Sequence, residues 1–238
     1  MPGQQTAIVT GAAGGIGSGL VQRFLNEGYN VVATSLDTGR TLTASPTLVL
    51  VDGNIGQPDV AANVADAAIQ HFGTIDVLVN TAGIYRKNAF IDYTPDDIAA
   101  LISTNLLGFL YITQLSVKQM LKQQSGSVVT ITAALADHPV AGVDASVSMM
   151  TKGALNTITR NLATEYAARG IRFNAVAPGV VATPLHKDDA AAAARAERQP
   201  MKTVTQVSDI ADAVLYLTRA NQVSGEILYV DGGSHAGR

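Results

Sequence analysis

The sequence predicts an α/β fold: one doubly wound domain whose seven-stranded parallel sheet is covered by helices on both faces. Three observations carry this. A length of 238 residues fits a single large domain. Hydrophobic residues make up 47% and charged residues 15%, as expected where strands are buried from both sides. Short β-branched runs alternate with longer helical patterns, and repeated β-α-β units build a parallel sheet with right-handed crossovers.

The strands are expected at Thr6–Thr10, Asn30–Thr34, Thr47–Val51, Ile75–Asn80, Ser127–Thr132, Ile171–Ala177 and Glu226–Val230. Helical patterns fill the intervals. In Ile16–Glu27, for example, Ile16, Leu20, Phe24 and Leu25 share one face, and Gly28 supplies a stop. No linker or internal repeat divides the chain. One irregular stretch, Val180–Val207, has an alanine-rich centre that reads as a helix started by Asp188 or Asp189 and ended near Pro200. It is either a solvated connection or a lid over a pocket, and its place after a strand at the sheet's carboxyl edge favours the lid.

Composition removes several classes of function. The net charge of -3 with 16 Lys and Arg leaves no basic surplus for a phosphate backbone, so nucleic acid is not an expected partner. The absence of cysteine excludes disulfides, thiolate metal sites and cysteine nucleophiles together. The first residues lack the pattern of a secretory signal and no uninterrupted apolar stretch reaches about 18 residues. The expectation is a cytoplasmic protein without a membrane partner.

After the first strand comes Thr10-Gly11-Ala12-Ala13-Gly14-Gly15-Ile16-Gly17, leading straight into a helix. Glycine removes the Cβ that blocks a tight turn and lets backbone N–H groups approach a pyrophosphate, while the helix N-terminus adds its positive dipole end. Strand, turn and helix together make this a dinucleotide-binding signal of the Rossmann type. TGAAGGIG resembles the TGxxxGxG turn of short-chain dehydrogenases/reductases, and further matches follow in order. Asn80-Thr81-Ala82-Gly83 is similar to that family's NNAG, with Thr for the second Asn. Asn105 stands where the family keeps its active-site asparagine, Pro178-Gly179-Val180-Val181-Ala182-Thr183 resembles its PG-x-x-x-T loop, and Asp231-Gly232-Gly233 its VDGG. The resemblance spans essentially the whole chain. It implies cofactor contacts from Gly11, Gly15, Ile16, Gly17, Ser35, Asp52, Asn80, Ala82, Gly83, Lys152, Pro178, Gly179, Val181 and Thr183.

The end of the second strand meets the adenosine ribose in this fold, and an acidic residue there accepts from the 2′-hydroxyl and repels a 2′-phosphate. That position is Ser35, and Arg40 follows as a possible phosphate partner, which favours NADP(H) over NAD(H). Leu36 and Gly14 stand where NADP enzymes of the family often carry basic residues, and Asp37 is placed to restore NAD preference. Asp52 reads as an adenine contact or as a strand-end cap.

The family's reaction uses Tyr-x-x-x-Lys on a helix, four residues apart and therefore on one face. The lysine holds the nicotinamide ribose and lowers the tyrosine pKa from about 10. Here the helix reads Ser148-Met149-Met150-Thr151-Lys152, with lysine in place and tyrosine replaced by Ser148. The family's carbonyl-orienting serine falls at Ala133, and Thr132 is one residue off. A serine hydroxyl is far less acidic than a phenol and reaches less far, so Ser148 touches a carbonyl only through water. Other candidate acids are His138, since an imidazole is the side chain suited to proton transfer near neutral pH, and Tyr85. Surface or packing roles compete for both. Asp144 reads as the cap of the catalytic helix, and Met149 and Met150 as pocket or core.

The catalytic set carried over is thus Asn105, Ser148 and Lys152, with no metal. The expected function is hydride transfer between nicotinamide and a carbonyl or alcohol, with a proton donor other than tyrosine. The alternatives are a non-catalytic dinucleotide-binding sensor or scaffold, and an enzyme of another class such as a lyase or isomerase. The resemblance also implies a homotetramer acting on a small molecule.

Overall fold

The structure is a computed structural model describing residues 3–183, 197 and 199–237. Seven strands form one sheet in the order β3-β2-β1-β4-β5-β6-β7. They are β1 (Thr6–Thr10), β2 (Asn30–Ser35), β3 (Leu48–Asp52), β4 (Val77–Asn80), β5 (Gly126–Ile131), β6 (Ile171–Pro178) and β7 (Ile227–Val230). Every neighbouring pair is parallel. The expected strands are all present, with ends moved by a residue or two. At the start of β4 the Ile75 N–H is taken by the Gln123 side chain at 3.1 Å, and Asp76 adds a carboxylate bond to Thr6 N–H at 2.8 Å.

Helices α1 (Gly15–Asn26), α2 (Pro58–Phe72), α3 (Pro95–Leu101), α4 (Gly108–Gln123), the short α5 (Ala134–Asp137), α6 (Ser146–Tyr166) and α7 (Val207–Arg219) connect the strands. Strand alternation sends successive residues to opposite faces. Ala7 and Val9 pack with Leu20 and Phe24 of α1 and Ile210, Val214 and Leu217 of α7. Ile8, between them, packs with Val64 of α2 and with Ile112 and Met120 of α4. Full burial of each large side chain stabilises the fold by about 1.5–3 kcal/mol, so the two faces together fix the register of β1.

Between α3 and α4 the backbone widens into a π-helical stretch, Ile102–Leu107, the kind of bulge that re-aims one side chain. The whole run Pro95–Gln123 is long and apolar enough by composition to cross a membrane, although no single unbroken apolar stretch is. Leu101, Ile112, Val117 and Met120 of this run are buried inside the fold. The body of the alanine-rich helix expected from Asp188 or Asp189 lies outside the described residues.

Candidate cofactor and active site

Parallel strands leave their carboxyl ends at one edge, and the order reverses between β1 and β4, the switch point at which folds of this kind place a ligand crevice. Two turns meet there. Gly11 has φ +63°, and a Cβ on it would lie 2.8 Å from both N and Cα of Ala82. Thr10 Oγ1 ties the turns together by accepting the N–H groups of Thr81 and Ala82, each at 3.1 Å. A Cβ on Gly17 would enter the Gly11 carbonyl, so glycine there lets α1 settle onto the turn beside Gly15 and Ile16. Helix α1 starts from Gly14 with no side-chain cap and no acidic residue in its first turn. Its first N–H groups thus face the crevice without an internal anion.

Ser35 ends β2 opposite Asp52 of β3. One carboxylate oxygen of Asp52 accepts both the N–H and the hydroxyl of Thr38, at 2.7 and 2.6 Å, and these bonds hold its carboxyl below the usual range. Asp52 therefore braces the turn that carries Leu36, Asp37 and Arg40, all exposed. On the far side, Gly179 N–H donates to Val230 O at 3.0 Å, and a Cβ there would lie 2.9 Å from Asp231 Cα. The loop after Pro178 continues through Val181, bridged to Thr205, to a partly buried Thr183. Asp231 accepts the N–H groups of Gly233 and His235, at 3.0 and 2.8 Å.

The π-helical stretch aims Asn105 at the turn after β4. Its Oδ1 accepts Ile84 N–H at 2.8 Å, while Nδ2 donates to Ile84 O at 3.1 Å and to Thr151 Oγ1 at 2.9 Å. Lys152, one helical position on, donates from Nζ to Ile131 O at 2.8 Å. The residue is partly open to the crevice, yet its ammonium lies deep in the fold, and loss of hydration brings its pKa down to about 8. A Cβ on Gly83 would lie 3.2 Å from Lys152 Nζ and 3.3 Å from Asn105 Oδ1. Glycine lets these two groups converge at one place. Asn80 does not join them: its amide donates to Thr113 Oγ1 of α4 at 3.1 Å.

Ser148 is buried, and its hydroxyl accepts Arg86 N–H and donates to Arg86 O, both at 2.9 Å. Tyr93 OH donates to the same carbonyl at 2.8 Å, and Asp97 pairs with the Arg86 guanidinium at 2.7 Å. Thr132 turns its hydroxyl to Val176 O at 3.3 Å. His138 packs edge-on against Tyr229, with ring centres 5.2 Å apart, and Tyr229 stacks on His235 at 4.3 Å. Burial, together with the bond that Tyr229 OH donates to Asp137 at 2.7 Å, pushes the Tyr229 pKa up to about 12. Tyr85 is 55% exposed, and partial burial raises its pKa. The expected cap is not made by Asp144: Ala145 is the N-cap of α6, with no side-chain bond, because the helix starts at Ser146 and leaves Asp144 a residue too early. Met149 is half-buried and Met150 exposed.

Thr10, Thr151, Tyr93 and Arg86 were not among the expected site residues. Thr10, Thr151 and Arg86 act through bonds to residues distant in sequence, and Tyr93 through a loop bond to Arg86 seven residues away; none of these pairings leaves a local pattern.

The family model described as "Enoyl-(Acyl carrier protein) reductase" matches residues 11–235. The chain belongs to the short-chain dehydrogenase/reductase family. Within it, a Streptomyces violaceoruber protein named as a ketoacyl reductase 2 of the granaticin polyketide synthase is 33% identical, over 98% of this chain and 97% of its own. The 3-oxoacyl-[acyl-carrier-protein] reductase FabG of Thermotoga maritima is 30% identical, over 96% of this chain and 97% of its own. A gluconate 5-dehydrogenase from Burkholderia cenocepacia, solved in complex with NADP and tartrate, superposes with a TM-score of 0.90. It is 25% identical and covers 99% of this chain and 97% of its own.

Proposed function

We propose that this family member is an oxidoreductase that binds NADP(H) in preference to NAD(H) and transfers hydride between the nicotinamide and a carbonyl or alcohol, with a proton source other than tyrosine. The observation that carries this reading is the convergence of Lys152 and Asn105 on Gly83, beside a turn in which Gly11 and Gly17 admit no Cβ. A phosphate-binding turn and a ribose-binding lysine are of use only together.

The residues fit the dinucleotide. Gly11, Gly15, Ile16 and Gly17 would hold the pyrophosphate at the open start of α1, and Ser35, Asp52 and Arg40 the adenosine end. Asn80, Ala82 and Gly83 would line the middle, and Pro178, Gly179, Val181 and Thr183 would flank the nicotinamide. The NADP of the gluconate dehydrogenase, the missing carboxylate at Ser35 and the nearby Arg40 support the phosphorylated form. When bound, the cofactor supplies the hydride. The chain's own part is to orient it: Lys152 holds the ribose, Asn105 fixes the Ile84 backbone and so the floor of the crevice, and Gly83 gives both room. Ser148 serves this arrangement by holding Arg86. The full assembly is a homotetramer.

Following NADPH and NADH consumption against a panel of ketones, quinones and imines tests the reading. Consumption with a matching alcohol or amine product supports it, and binding without turnover of any carbonyl overturns it. The commitment of the Ser148 hydroxyl to backbone favours one second reading, a dinucleotide-binding sensor, which that same inert outcome would support.

A further inference from the structure

We propose that Lys152 is itself the general acid of the reaction, its ammonium delivering the proton to the substrate oxygen directly or through one water. This rests on the oxidoreductase reading and names the group that replaces the tyrosine.

Elimination and geometry lead to it. The Ser148 proton is spent on Arg86 O and that of Thr132 on Val176 O. Ala133 has no proton to give. His138 is packed against Tyr229 and His235, beside β7, and Tyr85 holds its proton more tightly than a free phenol. Lys152 alone among these combines an ionisable proton, a place beside Gly83 and Asn105, and donor capacity to spare, since an ammonium has three N–H groups and among the described residues it makes one bond, to Ile131 O. Among the described residues, the groups shown beside it are that carbonyl from β5, the Gly83 backbone after β4 and the Asn105 amide from the π-helical stretch. None of them is charged, and among the described residues no carboxylate pairs with it. Burial alone therefore sets its acidity, near 8, where a group is still protonated at neutral pH and parts with the proton readily.

The step balances. Hydride, with its electron pair, forms the new C–H bond, the C=O π pair moves to oxygen, and oxygen takes the proton from Lys152 Nζ. The neutral amine regains a proton from solvent. The sum is dihydronicotinamide, carbonyl and one proton giving oxidised nicotinamide and alcohol. Reduction needs the protonated lysine, so its rate falls as pH rises through about 8, and alcohol oxidation shows the opposite slope.

Arginine at this position separates an acid from a mere cation, because it keeps charge and donors but does not release a proton near neutral pH. Lys152→Arg is assayed at saturating NADPH, with affinity followed by nucleotide fluorescence, so that any change in ribose binding is separated from loss of the acid. It should lose about a hundredfold or more in reduction rate and lose the alkaline break in the pH profile. Independently, NMR of lysine-labelled protein, with and without NADPH and assigned by Lys152→Met, should show one lysine titrating near 8. If Lys152→Arg retains turnover, or Lys152 titrates at 10 or above while the native chain reduces a carbonyl, the proposal is overturned and the oxidoreductase reading stands. If the lysine titrates near 8 but no carbonyl is reduced, the oxidoreductase reading fails and takes the proposal with it. Should the arginine variant misfold by circular dichroism, the titration and the native pH profile still decide.

Discussion

The Ser148 hydroxyl clasps Arg86 from both sides, accepting its N–H and donating to its carbonyl at 2.9 Å each. A side chain placed by the sequence motif where a proton donor was expected thus serves as a tether for the segment after β4. Ser148→Ala leaves Arg86 N–H without its acceptor, while Arg86 O keeps the Tyr93 hydroxyl. Urea unfolding should show a loss of about 1–3 kcal/mol, with turnover down by less than about tenfold. Ser148→Tyr alone should not raise carbonyl reduction, since the ring must displace the Arg86 backbone or leave that rotamer. Any gain should need Ala133→Ser as well, and a gain from the single variant contradicts the tether.

Cofactor choice should turn on Arg40. Ser35 offers no carboxylate to a ribose 2′-hydroxyl, and Arg40 stands exposed on the turn braced by Asp52. Arg40→Ala should weaken NADPH by about tenfold and leave NADH within about twofold, a loss of roughly 1.4 kcal/mol. Melting temperatures at saturating nucleotide read this directly. Equal loss for both nucleotides assigns Arg40 a structural role instead, and no shift with either dinucleotide removes the cofactor reading.

Gly11→Ala should be among the most damaging single changes in the turn. It meets both a positive φ and the backbone of Ala82, atoms that cannot move aside as a side-chain tip does. A loss of about 2–4 kcal/mol is expected, together with the nucleotide-induced melting shift. A variant of native stability that still binds would show that the turns at Gly11 and Ala82 separate easily.

Lys152→Met should stabilise the empty protein near neutral pH. The folded pKa lies below that of the unfolded chain, from 10.5 to about 8, so the unfolded state binds the proton more tightly. The cost of burying the cation is fully present below about pH 8, fades between there and 10.5, and is absent above. Methionine should therefore gain about 1–3 kcal/mol at pH 7, shrinking to nothing in strong alkali, while nucleotide binding weakens. Denaturation across that range checks both sign and window.

Light scattering at micromolar concentration should return four times the mass of the chain, the closed symmetric assembly common among soluble oligomers. Leu106, Leu110, Tyr111 and Leu115 on the apolar run through α4 are only partly covered, which gives copies a surface to share. A monomer mass refutes the assembly.

The sheet was legible because β-branched runs buried from both sides differ sharply from the amphipathic helices between them. The glycine turn was legible because glycine has few other reasons to recur between a strand and a helix. What stayed hidden were side-chain bonds across long sequence distances: Ser148 to Arg86 spans 62 residues and Thr10 to Thr81 spans 71. Asp144 misled for a related reason, since a good capping residue one position early looks the same in sequence as one in place. The acidity of Lys152 was equally out of reach, because burial is a property of everything packed around it.

The strand order also has a bearing on how the chain is made. β1 leaves the ribosome first, yet it sits mid-sheet between β2 and β4. Until Val77–Val79 emerge to pair with Ala7–Val9, one edge of the nascent sheet stays open, and Gly11 has no Ala82 to close upon. At the other end, β7 arrives last and brings Asp231 to Gly179. Parallel pairings of this range form slowly, so the approaches of Gly11 to Ala82 and of Gly179 to Asp231 wait on strands made at different times.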